Sequence, residues 1–171
     1  EEMDVQNFSD QMASHDHAIT HLSSGISDEQ ARWKPDAGSW SILEVINHLL
    51  DEERLDFRVR LEIILRGAGE DWPPINPQGW VTERAYNQRD LAESLASFLA
   101  EREKSLQWLA SLGQPDFSIL CRTAFGEMAA GDMFAAWVAH DLLHLRQLVE
   151  LHYAYTVQAV QPYSPLYAGD W

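Results

Sequence analysis

Four long segments of the chain repeat apolar residues at the three- and four-residue spacing that lines one face of an α-helix. They lie at about 4–22, 41–66, 90–113 and 130–155 of the 171 residues. No segment has the strong alternating pattern of a strand, although 117–125 is compatible with a short extended piece, and the tail is predicted to be irregular. Helices that are apolar on one face must pack against one another, so the sequence predicts an all-α fold.

The second and third predicted helices have clear start signals. Ser41 and Glu44 have the spacing of a capping box, and Asp90 and Glu93 repeat it. Gly67-Ala68-Gly69 is predicted to end the second helix, and Gly113 the third.

About twenty residues, 67–89, separate the second helix from the third, and they include three prolines and two tryptophans. Antiparallel neighbours in a bundle are usually joined by a handful of residues. The length predicts a crossover that carries the chain back along the bundle and leaves these helices parallel. With no internal repeat or domain boundary, we predict a single-domain four-helix bundle over 1–171.

The charge excludes several classes of partner. Asp and Glu number 27 against 12 Lys and Arg, which gives a formal net charge of −15. Binding to nucleic acid or to an anionic membrane needs clustered basic residues, so neither is expected. No apolar run reaches the ~18 residues of a membrane span, and the first residues lack a signal-peptide pattern. The single cysteine, Cys121, excludes an intramolecular disulfide and a cysteine zinc cluster, so a cytoplasmic location is expected.

Histidine is the remaining source of chemistry. Two pairs have the i, i+4 spacing that puts both rings on one helix face. His17 and His21 lie in a polar row and are interpreted as solvent-exposed. His140 and His144 instead lie in an apolar row, where two buried imidazoles need partners. Either a metal ion or side chains across the bundle can satisfy them. The apolar row contains Met133, Ala136, Trp137, Leu148 and Leu151.

His48, on the second helix, is the candidate third ligand. It lies at the flank of a broad apolar surface, where a lone histidine can equally be structural. Three neutral imidazoles at one point leave a coordination position open for water or substrate, which is typical of catalytic sites.

Four further residues are candidates for supporting roles. Glu53 and Arg102 are charges within apolar helix faces. Either they pair with each other, or Glu53 accepts a hydrogen bond from a histidine ligand, or both extend to the surface. Gln147, one turn after His144, is a candidate hydrogen-bond partner for a ligand or a bound water, with a core-facing amide as the alternative. Glu52, one turn after His48, is a candidate fourth ligand or general base, with a solvated charge as the alternative.

Two segments that contain the candidate histidines form longer sequence motifs. Segment 40–49 is W-S-I-L-E-V-I-N-H-L and is followed by Glu53, and segment 140–147 is H-D-L-L-H-L-R-Q. They resemble the signatures W-S-I-x-E-x-x-x-H-L…E and H-D-x-x-H-x-x-Q of the DinB-like (damage-inducible, YfiT-like) four-helix metal-binding family. The resemblance covers most of the chain. One departure is Ala-Ala-Gly at 129–131, where relatives often have a Thr or Ser cap.

The resemblance implies a bundle with this crossover and one divalent metal held by His48, His140 and His144. Family members include thiol-dependent transferases and isomerases and a metal-dependent hydrolase-like branch. It therefore implies a metal-dependent enzyme with a small-molecule substrate, a low-molecular-weight thiol in the transferase case, and a homodimer. A non-catalytic metal or ligand binder, or a bundle with purely structural histidines, are the alternatives. Three imidazoles accept zinc, nickel, iron or copper, so the metal stays open.

Overall fold

The helices of the computed structural model lie close to the predicted segments. The structure describes residues 3–67, 72–123 and 126–169. The helices are α1 (Val5–Ser23), α2 (Asp28–Arg32), α3 (Ile42–Glu52), α4 (Arg58–Leu65), α5 (Pro77–Glu83), α6 (Leu91–Ser111) and α7 (Ala130–Ala159). A π-helical turn, Glu53–Phe57, joins α3 to α4, so that 42–65 form one continuous helix. The four-helix bundle is confirmed, with α1, α3–α4, α6 and α7 as its long members.

Side-chain caps explain where α3 and α6 begin. The hydroxyl of Ser41 accepts from the backbone N–H of Glu44 at 3.1 Å, and the Glu44 carboxylate accepts from the Ser41 N–H at 2.9 Å. The carboxylate of Asp90 accepts from the N–H of Glu93 at 2.9 Å. Both predicted starts are confirmed. Of the predicted glycine stop at 67–69, Gly67 has a φ of +66° and residues 68 and 69 lie outside the described residues.

Contacts between α3–α4 and α6 show that these helices run in the same direction. The hydrogen-bonded pairs advance together along both helices: Asn47 with Ser94, Glu53 with Arg102, and Arg58 with Ser105. The chain therefore crosses back along the bundle between them, as the long connection predicted.

The fourth bundle helix, α7, runs parallel to α1 and antiparallel to α3–α4. Its contacts with α1 advance together: Phe134 with Phe8, Asp141 with His15, and His152 with the carbonyl of Leu22. Its contacts with α3–α4 advance in opposite directions: His144 with His48, and Trp137 with Phe57.

Two apolar clusters fill the bundle, and the candidate histidines lie between them along α7. One cluster contains Met133, Phe134 and Trp137 with Met12, Leu61 and Ile64. The other contains Leu148 and Leu151 with Ile42, Ile46 and Leu49. Burial of these side chains supplies most of the driving force for folding.

The crossover and the segment before α7 contain elements that the sequence analysis did not predict. The crossover holds α5, which is capped by the Asn76 side chain at 3.0 Å from the Gly79 N–H, and a 3₁₀ turn at Tyr86–Gln88. In place of one extended piece at 117–125, β1 (Leu120–Thr123) pairs antiparallel with β2 (Gly126–Ala129), and residues 124–125 lie outside the described residues. The tail contains a second 3₁₀ turn, Leu166–Ala168.

Membrane insertion finds no support in the helices. Within the described ranges 3–67, 72–123 and 126–169, no helix combines the length and the apolar character needed to cross a membrane.

Candidate metal centre

The side chains of His48, His140 and His144 meet at the junction of α3 and α7. The Nε2 atom of His140 lies 3.3 Å from Nε2 of His48 and 3.1 Å from Nε2 of His144. One ring nitrogen from each residue falls within 4.8 Å of the others, and in the described part of the chain these three form the group with metal-ligand spacing. The structure thus brings together the three histidines selected from the sequence.

The donor set and its spacing fit a divalent transition metal. A tetrahedral ion with Nε2 ligands at about 2.0–2.1 Å keeps the nitrogens about 3.3–3.4 Å apart, close to the separations found here. Three Nε2 atoms that face one another also cannot all donate and accept hydrogen bonds among themselves, because each neutral ring has one N–H. A shared metal ion satisfies all three lone pairs at once.

Burial keeps these imidazoles neutral, which is the form that binds metal. It lowers the pKa of His48 to about 2 and that of His140 to about 3, and the nearby His144 adds to both shifts. Burial also lowers the pKa of His144. The three Nε2 lone pairs are therefore available at neutral pH without loss of a proton.

Residues around the cluster orient the ligand rings. The Nδ1–H of His144 donates to Oε1 of Gln147 at 2.8 Å, which leaves Nε2 as the metal-binding nitrogen. Trp40 packs against His48 at 4.9 Å between ring centroids, and Phe57 packs against His140 at the same distance. These contacts hold the rings and limit the access of water to the cluster.

The predicted pairing of Glu53 with Arg102 is present. Both side chains are almost fully buried, and Nε of Arg102 donates to Oε1 of Glu53 at 3.0 Å. The second oxygen of Glu53 accepts from the indole N–H of Trp137 at 3.0 Å, so Glu53 contacts α6 and α7 and not a histidine of the cluster. Arg102 also binds Asp141, the residue after His140.

Asp141 and its neighbours form a buried charge network that the sequence analysis missed. Burial alone would raise the pKa of Asp141, but hydrogen bonds from Arg102 and His15 hold it below its usual range. Burial raises the pKa of Asp16, near the same guanidinium, to about 7. The sequence does contain an indication of this network, because Asp141 is a charged residue within the apolar face of α7, one turn after Trp137.

Glu52 is not placed at the cluster. Its carboxyl group is buried and hydrogen-bonds with that of Asp56, which in turn lies 2.6 Å from Nε of Arg60. Burial, together with Asp56, raises the pKa of Glu52 to about 8. The burial of Glu52 contradicts the alternative of a solvated charge. Among the described residues, the group with metal-ligand spacing does not include Glu52, and its role as a general base stays a prediction. His17 and His21 are exposed, as expected from their polar row.

A cavity of about 830 Å³ opens onto the cluster. Its lining includes two of the ligand candidates and polar residues that the sequence analysis did not select, chiefly Gln78, Glu150 and Tyr153. These residues could not be selected from the sequence, because each is exposed or half-buried and only the tertiary packing places it at the cavity. The volume is large enough for a small organic molecule next to the histidines.

The bundle topology and the histidine cluster define a class of protein, namely four-helix bundles with a candidate three-histidine metal centre. A family model of the DinB superfamily matches residues 11–148, more than half of the chain. The chain belongs to the DinB superfamily. Among solved structures it is similar to YfiT from Bacillus subtilis, a probable metal-dependent hydrolase with an unusual four-helix bundle topology, at 16% identity and a TM-score of 0.78 over 89% of this chain and 87% of that one. No curated protein matches the chain.

Proposed function

We propose that this protein binds one divalent transition metal, zinc, nickel or iron, through His48, His140 and His144, and acts as a metal-dependent hydrolase on a small-molecule substrate. The observation that carries the proposal is the convergence of three neutral Nε2 atoms beside a cavity of about 830 Å³. Three protein ligands and adjacent open space are typical of a catalytic metal site.

A divalent metal at this position supplies a Lewis acid that polarises a carbonyl and activates water. The protein supplies the surroundings. Gln147 fixes the tautomer of His144 through the 2.8 Å hydrogen bond, and the Trp40 and Phe57 rings limit solvation of the cluster. The hydrolase activity of this proposal is supported by the similarity in fold to YfiT, a probable metal-dependent hydrolase.

Elemental analysis of the untagged protein tests the metal centre. We expect about one metal ion per chain in the wild type and loss of most of it in His48→Ala, His140→Ala and His144→Ala. His21→Ala is the matched control because His21 is exposed and outside the cluster, and it should keep the metal. A chelator should lower the thermal stability of the wild type, since a ligand that binds only the folded state stabilises it.

Metal retained at full stoichiometry by the three cluster variants would overturn the proposal. So would a wild-type protein that binds no zinc, nickel or iron after each is supplied. Turnover is tested with panels of ester and amide substrates and with thiol-transfer substrates. Metal binding without turnover in any panel would support a non-catalytic metal or ligand binder instead, and turnover only with a low-molecular-weight thiol would support a transferase.

A further inference from the structure

The lining of the cavity beside the histidine cluster contains a carboxylate, and a second belongs to a loop that contributes to the lining. Glu150, on α7, lines the cavity directly. Asp36 belongs to the loop before α3 and accepts from the backbone N–H groups of Gly38 and Ser39 at 2.8 and 2.9 Å, and both of these residues line the cavity. Among the described residues that form the lining, none is a lysine or arginine.

Lys34 and Arg146, which adjoin the lining residues Pro35 and Gln147 in the sequence, are both paired with carboxylates. Nζ of Lys34 lies 2.6 Å from the Glu44 carboxylate, which is nearly buried and part of the α3 capping box. Nε of Arg146 lies 3.4 Å from Glu150, but the Arg146 side chain is 70% exposed. An exposed ion pair of this kind contributes little and leaves Glu150 able to bind a cation from the cavity.

Spacing along α7 gives the axial separation between Glu150 and the cluster. Glu150 follows His144 by six residues, which corresponds to about 9 Å along the helix axis. Aromatic rings of Trp40 and Tyr153 also line the cavity. Carboxylates and aromatic faces are the groups that bind ammonium ions in proteins.

On the basis of the proposed function, we infer that the cavity binds a ligand with a positively charged end, such as an ammonium group, about 9 Å along α7 from the group held at the histidines. The favoured substrates are then esters or amides of ω-amino compounds. Ligands with a carboxylate at that end are disfavoured, and this includes thiol cofactors that carry carboxylates.

Three hydroxamates that differ only in the far end test this inference. They are 6-aminohexanohydroxamic acid, hexanohydroxamic acid and the monohydroxamate of adipic acid, which carry a positive, a neutral and a negative end on the same metal-binding head. Each is titrated into zinc-loaded protein by isothermal calorimetry, with the zinc content measured beforehand. We expect the amine to bind about tenfold more tightly than the carboxylate, and salt should reduce this ratio.

Variants at Glu150 test whether this residue causes the preference for a positively charged ligand end. Glu150→Gln should reduce the amine-to-carboxylate ratio by about threefold, and Glu150→Lys should reverse it. Glu127→Gln is the matched control, because Glu127 is an exposed residue of β2 that is not part of the cavity lining, and it should keep the wild-type ratio.

Equal binding of the three hydroxamates, or tighter binding of the carboxylate, would overturn the inference and leave the metal centre standing. A wild-type ratio that persists in Glu150→Gln and Glu150→Lys would also overturn it. If zinc loads but no hydroxamate binds, the inference fails together with the open coordination position. If zinc itself does not load, the proposed function fails as well.

Discussion

Both terminal nitrogens of Arg102 lie 2.7 Å from the two carboxylate oxygens of Asp141, the residue that follows His140 in α7. The arginine is on α6, and its third nitrogen binds Glu53 at the start of the π-helical turn. Because the same guanidinium lies 3.5 Å from Asp16 of α1, it connects all four bundle helices next to the histidine cluster. Its acidic partners depend on it for neutralisation, because buried carboxylates without a cation are costly.

Replacement of Arg102 by methionine should strongly destabilise the fold. The change leaves Glu53 and Asp141 buried without their cation, and removal of one partner from a buried pair costs about 3–5 kcal/mol. Urea unfolding followed by circular dichroism measures the loss. Arg66→Met removes an exposed arginine paired with Glu62 and should cost less than about 0.5 kcal/mol. A comparable small loss for Arg102→Met would contradict the structural role given to the network.

Replacement of Gln147 by leucine should weaken metal binding without loss of the fold. The variant removes the acceptor that keeps the proton of His144 on Nδ1, and loss of such a partner typically lowers metal affinity about 10–100-fold. Competition with a chromogenic zinc chelator measures the affinity. Gln147→Glu keeps an acceptor at the same position and should retain most of the affinity. Equal affinities of the wild type and Gln147→Leu would show that the hydrogen bond does not tune the site.

The bundle helices could be predicted from the sequence where the residues that cap a helix lie next to it in the chain. The capping box at Ser41 and the side-chain cap at Asp90 fix helix starts through contacts within four residues, so no tertiary information is needed. The histidine cluster was found for a related reason. His140 and His144 break an apolar row at helical spacing, and a buried imidazole requires a partner.

Tertiary contacts decided what the sequence analysis missed or left open. For Glu53, a charged residue on an apolar helix face, the sequence left three possible partners or locations open. Only the packing of α6 and α7 around it shows that its partners are Arg102 and Trp137. Glu52 has the i, i+4 spacing from His48 that suggested a ligand. The sequence does not show that the protonated Glu52 carboxyl group hydrogen-bonds to Asp56 instead.

The stability of the protein should fall as the pH rises from about 6.5 to 8. Burial raises the pKa of Glu52 to about 8, so the folded protein still carries this proton when the unfolded chain has lost it near its ordinary pKa. Loss of this proton from the folded state lowers the free energy of unfolding by about 1–2 kcal/mol across this window. His48, His140 and His144 act in the opposite sense near pH 6.5, because they are neutral in the folded protein and partly protonated in the unfolded chain, so the decrease should be clearest above about pH 7. Urea unfolding at several pH values measures the slope.

Glu52→Gln is the test variant for this pH dependence, because it removes the titrating group and should flatten the slope. Glu127→Gln, at an exposed position, should keep the wild-type slope. Asp16, whose pKa burial raises to about 7, contributes with the same sign at the lower end of the window. A wild-type stability that is constant or increases between pH 7 and 8 would contradict the placement of the Glu52 proton.

Replacement of Ala129 by serine should stabilise the protein. Ala129 precedes α7 in the extended conformation of an N-cap residue, with φ −79° and ψ 154°, and its backbone N–H already donates to the Asp132 carboxylate at 3.0 Å. The other half of a capping box is absent because alanine has no side-chain acceptor. A serine hydroxyl can accept from the N–H of Asp132 and should add about 1 kcal/mol to the free energy of unfolding. Thermal and urea unfolding measure the gain, and Ala129→Val, which adds bulk without an acceptor, is the control. A stability of Ala129→Ser that does not exceed that of the wild type would show that α7 needs no further cap.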